Sequence, residues 1–215
     1  MDGRFLRQMA ILPPEKLQFP ITVIGAGAIG SSAVVTLAKL GCSNITVWDS
    51  DLLQDHNIPN QFCKADALGM SKVEALSLLV EELSGTTINW KHRRYQGQPL
   101  SGVVIAGPDN METRKTIWKQ ARYNARIPLL VDGRMGAELA RLYAVVPASS
   151  DDVTFYEANL YDDAERLPCS ARSIIYCPAM IGALIALLIK KYAVAEKLPK
   201  EIIFDMPSLR LTVTE

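Results

Sequence analysis

At 215 residues, with 49% hydrophobic and 21% charged side chains, the chain is long enough to fill one substantial core and too apolar to be disordered. Basic and acidic residues balance at 23 each, so no overall field holds a phosphodiester backbone or an anionic lipid surface, and neither nucleic acid nor membrane is expected as a partner. The four cysteines, Cys42, Cys63, Cys169 and Cys177, form no Cys-x-x-Cys pair and follow no secretory leader, which points to reduced thiols in a cytoplasmic protein.

In chain order, residues 1–19 read as an amphipathic arm that packs on the body: Phe5, Leu6, Met9, Ile11 and Leu12 are apolar, Arg4, Arg7 and Gln8 are not, and Pro13-Pro14 ends it. Residues 21–24 form a β-branched run, followed by Gly25-Ala-Gly-Ala-Ile-Gly30 and helix formers to Leu40, an order of strand, tight turn and helix. Strands are then predicted over 44–48, 86–91, 103–106 and 129–131, with helices over 71–83 and 111–125 between them. That alternation implies a Rossmann-like α/β fold, a mostly parallel sheet with helices on both faces.

Beyond Asp132 the rhythm changes. Residues 139–146 and 153–157 read as strands with no helix between them, so an antiparallel extension is expected in the C-terminal third. Residues 159–172, polar and carrying Asp162 and Asp163, read as a loop. A long helix over 173–195, with Pro178 early in it, and strands near 202–204 and 209–213 finish the chain. The apolar run 179–189 is about half a membrane span and ends in Lys190-Lys191, which reads as a core helix. The whole is one domain: an arm over 1–19, a ligand-binding half over 20–132 and an extension over 133–215.

The glycine turn sits where a phosphate site needs it. Gly25 permits the turn, Gly27 lets phosphate approach the backbone, and Gly30 lets helix pack on strand, with helix N-terminal amides facing the anion. Asp49, about twenty residues on, ends the second strand where a carboxylate accepts from ribose hydroxyls. NAD, FAD, S-adenosylmethionine and ATP all carry that ribose, so these residues specify an adenosine ligand and no particular chemistry.

Four further stretches narrow the choice: Arg4-Phe5-Leu6-Arg7-Gln8, Asn57-Ile-Pro-Asn-Gln61, Gly69-Met-Ser-Lys72, and Pro108-Asp109-Asn110 with Arg114 after it. Together they resemble the ThiF/MoeB/HesA group, relatives of the ubiquitin-activating enzymes, from Arg4 to about Val213. The resemblance implies ATP and Mg²⁺ as cofactors, a homodimer, and adenylation of the C-terminal carboxylate of a ubiquitin-like or sulfur-carrier protein. It implies that Arg7 acts in trans on the triphosphate, that Asn57 and Gln61 bind nucleotide, that Lys72 reaches the phosphates, and that Asp109 holds Mg²⁺. Asn60 stands where the group has an arginine, so triphosphate binding loses a cation there. Asp109 has a competing reading as the N-cap of the helix that follows, and Lys72 one as a surface lysine.

Cys169, in Pro168-Cys169-Ser170-Ala171-Arg172, falls where relatives often carry a cysteine that takes the acyl group; the alternative is an ordinary small residue at a loop end. Cys177 reads as core and Cys63 as a structural thiol near the polar run. The paired Cys-x-x-Cys motifs that bind zinc in many relatives are missing, so the chain reads as a compact branch without that metal. Two other readings stay open: a nicotinamide-dependent oxidoreductase, which the glycine turn and Asp49 would serve equally, and an inactive scaffold subunit of the same fold, which Asn60 would suit.

Overall fold

The computed structural model describes residues 3–160 and 174–215. Its strands are β1 (Ile21–Ile24), β2 (Ile45–Asp49), β3 (Asn89–His92), β4 (Val103–Ala106), β5 (Leu130–Gly136), β6 (Leu139–Val145), β7 (Glu201–Asp205) and β8 (Arg210–Thr214). Its helices are α1 (Ala28–Leu40), α2 (Lys72–Ser84), α3 (Met111–Ala121), α4 (Ser150–Ala158) and α5 (Tyr176–Ala193). One sheet holds all these strands in the order β3-β2-β1-β4-β5-β6-β7-β8. Pairing is parallel from β3 across to β5 and antiparallel from β5 to β8.

The period-2 alternation of a strand sorts side chains to opposite faces, and β4 does so with apolar residues on both. Val103 and Ile105 join the core beneath α1, α2 and α5, while Val104 and Ala106 join a second core with Trp118 of α3 and Tyr156 of α4. Helix α5 is by length and composition apolar enough to cross a membrane. Its packing accounts for that composition: Ile181, Ile185 and Ile189 are in the core, and a Cβ on Gly182 would meet Ser32 Oγ of α1 at 2.2 Å. The two helices cross at close range because neither side offers bulk.

The segment 153–157 departs from expectation, being part of α4 rather than a strand. Val-Thr-Phe-Tyr has strand-like composition, but Ser149 caps a helix there: its Oγ accepts from the Asp152 amide at 3.3 Å, and Asp151 and Asp152 lie in the positive first turn. Val153 and Tyr156, three apart, then share the buried face. β3 starts at Asn89, later than expected, because left-handed Gly85 ends α2 and the chain must still cross to the sheet edge. α3 stops at Ala121, with Tyr123 in the left-handed region at φ 55°.

The arm begins as a 3-10 turn, Gly3–Gln8, and is only partly amphipathic in place: Leu12 and Leu17 are buried, Leu6 and Ile11 are exposed. Polar contacts hold it. Gln8 Nε2 donates to the Leu40 carbonyl at 2.7 Å and Arg4 Nη1 to the Ser84 carbonyl at 3.0 Å, satisfying open carbonyls at the ends of α1 and α2.

Candidate functional site

The sheet order reverses at β1: β2 and β3 lie to one side of it and β4 to the other. In open α/β sheets the crevice at such a switch point, beyond the strands' carboxyl ends, is where ligands bind. The glycine turn lies there. Gly25 has φ +100° and passes so near the next strand's exit that a Cβ would sit 2.7 Å from the Gly107 carbonyl oxygen. A Cβ on Gly30 would sit 1.8 Å from the Gly25 carbonyl oxygen, so both positions are closed to side chains by the protein itself. Gly27, the N-cap of α1, differs: a Cβ there would meet nothing within 4 Å. The space above Gly27 is open, in front of the first amides of α1, and suits a phosphate.

Asp49 does two jobs at the end of β2. Its Oδ2 accepts from the Ala26 amide at 2.7 Å, fixing the glycine turn, and its Oδ1 accepts from the Asp51 amide at 2.8 Å. A carboxylate offers about four acceptor positions, so capacity for ribose hydroxyls remains. Along the polar run, Asn57 is buried and its Oδ1 accepts from the Gln54 amide at 2.9 Å, bracing its own turn. Gln61 is half-buried in the same loop, and the next residue's amide, Phe62, donates to Ser31 Oγ of α1 at 3.0 Å, pinning the loop beside the glycine turn.

Asn60 Oδ1 is buried without a hydrogen-bond partner. An orphaned acceptor costs about 1–3 kcal/mol and calls for an O–H or N–H donor. A ribose hydroxyl answers that need; a phosphate oxygen does not. This open acceptor and the space above Gly27 are the observations by which a nucleotide fits these residues.

Lys72 opens α2 with its ammonium 2.8 Å from Asp51 Oδ2, two residues beyond Asp49. Asp109 is exposed after β4. It does not cap α3: Asn110 does, with Oδ1 accepting from the Thr113 amide at 2.8 Å, while Asn110 Nδ2 donates to Asp109 Oδ1 at 2.9 Å. The Asp-Asn dipeptide thus divides its labour, the amide serving the helix and steadying the carboxylate. Among the described residues no group of three or more His, Cys, Asp or Glu is placed to share a metal. Mg²⁺ on a triphosphate asks for less, since it keeps water and phosphate oxygens and takes one or two carboxylates.

Arg7 is exposed on the arm, at the far end of α1 from the glycine turn. With 13 residues in α1, about 20 Å separate the two, so Arg7 does not serve its own chain's turn. Cys169 lies outside the described residues. Cys63 packs half-buried against a small cluster of Leu53, Ala67 and Ala75. Cys177 is fully buried, and burial pushes its thiol up to about 11.

Sequence reasoning singled out Arg114 behind the Asp109-Asn110 pair but missed the polar set that it joins, Asp132, Arg134 and Tyr156. Asp132 is completely buried, with Oδ1 accepting from Arg114 Nε at 2.9 Å and Oδ2 from Arg134 Nε at 2.7 Å and from the Tyr156 hydroxyl at 2.9 Å. Burial pushes this carboxyl up, but the Arg114 and Arg134 guanidiniums outweigh it and hold it below the usual carboxylate value. Burial and the Asp132 charge push the Tyr156 phenol well above its ordinary value. The one available signal was an ionisable residue inside an apolar strand, Leu129-Leu-Val-Asp132.

The ThiF family model matches residues 15–212. Similar curated proteins include the molybdopterin-synthase adenylyltransferase of Haemophilus influenzae, 30% identical over 125 residues, 54% of this chain and 51% of that protein. The NEDD8-activating enzyme E1 catalytic subunit of Dictyostelium discoideum is 32% identical over 106 residues, 46% of this chain and 24% of that one. The matches thus span about half or less of those relatives' length. Among solved structures, E. coli MccB with MccA-N7isoAsn superposes with a TM-score of 0.81 at 14% identity, covering 100% of this chain and 72% of that one. Selenomethionine PaaA superposes with a TM-score of 0.80 at 16% identity, covering 99% and 72%. At such identities these two likenesses concern the fold.

Proposed function

The chain belongs to the ThiF family, and on that premise we propose that it uses ATP and Mg²⁺ to adenylate a carboxylate, the C-terminus of a ubiquitin-like or sulfur-carrier protein. The observation that carries the reading is the meeting of two strand exits at the switch point. The open glycine turn after β1 and the Asp109-Asn110 loop after β4 touch there through Gly25 and Gly107, with Asp49 on the other flank. A nicotinamide enzyme would use the turn and Asp49 but has no need of an exposed carboxylate at the β4 exit.

In this reading Asp49 and Asn60 take ribose hydroxyls, the α1 amides and Lys72 take phosphates, and Asn57 and Gln61 complete the polar wall. The substrate carboxylate bonds to the α-phosphorus, the bond from that phosphorus to its bridging oxygen breaks, and pyrophosphate leaves with the electron pair. No general base is required, because the carboxylate is ionised at neutral pH. Mg²⁺ held by Asp109 would supply charge neutralisation on the departing pyrophosphate. Lys72 has first to exchange Asp51 for phosphate. Arg7 is directed to a second copy of the chain, where its guanidinium would offset the charge that Asn60 cannot, and the active form is a homodimer. A thiolate at Cys169 would then attack the acyl carbon and release AMP.

ATP–pyrophosphate exchange with Mg²⁺ and a panel of carrier proteins tests this. Exchange that is lost in Asp109→Asn and falls in Arg7→Ala supports it; ATP binding without exchange for any carrier makes the chain a scaffold, and tight NAD(H) binding in place of ATP overturns the reading. Cys169→Ala should keep exchange and lose any thioester.

A further inference from the structure

Arg114 and Asp132 are the buried charged residues among those described, and no ligand contact has been assigned to either. With Arg134 they place one carboxylate against two guanidiniums in the second core. As a source of stability alone this is a poor solution, since well-packed apolar side chains of similar volume often do as well or better. The connections of the cluster supply another reason for it.

Arg114 lies on α3 one turn beyond Asn110, and its Nη2 also donates to the Gly133 carbonyl at 2.8 Å. From Asp132 the contacts therefore run through Arg114 to the first turn of α3, to Asn110 and to the carboxylate of Asp109. Asp132 also pairs in register with Ala106, the last residue of β4, so it anchors the 107–110 loop from both ends. On its other side Tyr156 belongs to α4, and Arg134 Nη1 donates to the Asn159 carbonyl just past that helix at 2.8 Å. The exposed loop that carries Asp109 is thereby fastened at its base to the ion cluster that Arg114 and Asp132 bury.

We propose that Asp132 is a positioning residue for adenylation: through Arg114 it fixes where Asp109 stands, and so how well Mg²⁺ is held on the nucleotide. It touches no ligand itself. The proposal rests on the reading of Asp109 as the Mg²⁺ carboxylate.

Three variants separate this from a purely structural role. Asp132→Asn keeps the shape and removes the charge. Arg114→Lys keeps a charge but loses the fork that reaches Asp132 and Gly133 together, and serves should Asp132→Asn fail to fold. Tyr156→Phe cuts only the α4 side. The Mg²⁺ concentration for half-maximal exchange at saturating ATP should rise about tenfold in Asp132→Asn and in Arg114→Lys, the scale on which partners behind a metal ligand act. It should be unchanged in Tyr156→Phe. In nucleotide-free protein, amide hydrogen exchange over 107–113 should quicken in the first two variants and stay as in wild type in Tyr156→Phe. Lowered melting temperature in Asp132→Asn and Arg114→Lys, with wild-type Mg²⁺ response and wild-type exchange over 107–113, overturns the proposal. Should wild-type protein show no Mg²⁺-dependent pyrophosphate exchange, adenylation falls instead, and quickened amide exchange would still report the tether.

Discussion

Two aspartates close parallel strands of one sheet in opposite circumstances. Asp49 ends β2 half-exposed, bonded to two backbone amides; Asp132 ends the parallel part of β5 fully buried, bonded to two guanidiniums and a phenol. Amides leave a carboxylate its net charge and its outward lone pairs, so Asp49 stays able to meet a ligand. Guanidiniums and burial consume both at Asp132. The same residue at the same kind of strand end is thus left open to a ligand in one place and closed to one in the other, and the partners decide which.

The contrast is sharpest in stability. Asp132→Asn leaves the buried Arg114 and the half-buried Arg134 guanidiniums without their counter-charge and should cost about 3–5 kcal/mol in chemical denaturation. A cost under 1 kcal/mol would mean the cluster is solvated and the contrast false. Acid makes the same test without mutation. The folded pKa of Asp132 is depressed, so its contribution is present above the unfolded value of about 3.9 and is lost as pH falls through the lower folded value. Melting temperature should drop below about pH 4, less steeply in Asp132→Asn.

At Asp49 the expected effect is smaller and falls on the ligand as well. Asp49→Asn keeps one acceptor oxygen and turns an NH₂ toward either the Ala26 or the Asp51 amide. Leaving one donor unpaired should cost about 1–3 kcal/mol and loosen the glycine turn. Calorimetric titration should show weaker ATP binding. Unchanged affinity would remove Asp49 from the ribose site.

The parallel half was legible in the sequence because each local signal agrees with its neighbours: β-branched runs over 21–24 and 103–106, a glycine turn closed by its own fold at Gly25 and Gly30, and a carboxylate on the next strand. Legibility failed where tertiary contact overrides composition. Val153 to Tyr156 looks like strand and is helix, because Ser149 caps it and the core takes residues three apart. The Asp132 cluster was hidden for another reason: Arg134 lies two residues on in the same strand, but Arg114 and Tyr156 lie 18 and 24 residues away, beyond any periodicity a single chain displays.

Asn110 ranks below both aspartates in expected size. Asn110→Ala removes the α3 cap and the donor to Asp109, and about 1 kcal/mol of stability should go with it. Because Arg114 remains tethered, the Mg²⁺ response should weaken less than in Asp132→Asn. The reverse ranking would place control of Asp109 in the dipeptide rather than in the buried cluster.

The smallest effect belongs to the Lys72–Asp51 pair, where Asp51 is mostly in solvent and Lys72 is not. Half-exposed pairs contribute about 0–1 kcal/mol, so Asp51→Asn should barely move the melting temperature. Its value lies in direction. If Lys72 has to leave Asp51 to meet phosphate, removing that competitor should tighten ATP binding, more visibly at low salt, where the pair is least screened. Asp49→Asn and Asp51→Asn would then move affinity oppositely from positions two apart, one losing a ribose acceptor and the other freeing a phosphate donor. Weaker binding in Asp51→Asn would instead mean that Asp51 holds Lys72 in place for the ligand, and that the ion pair is part of the site.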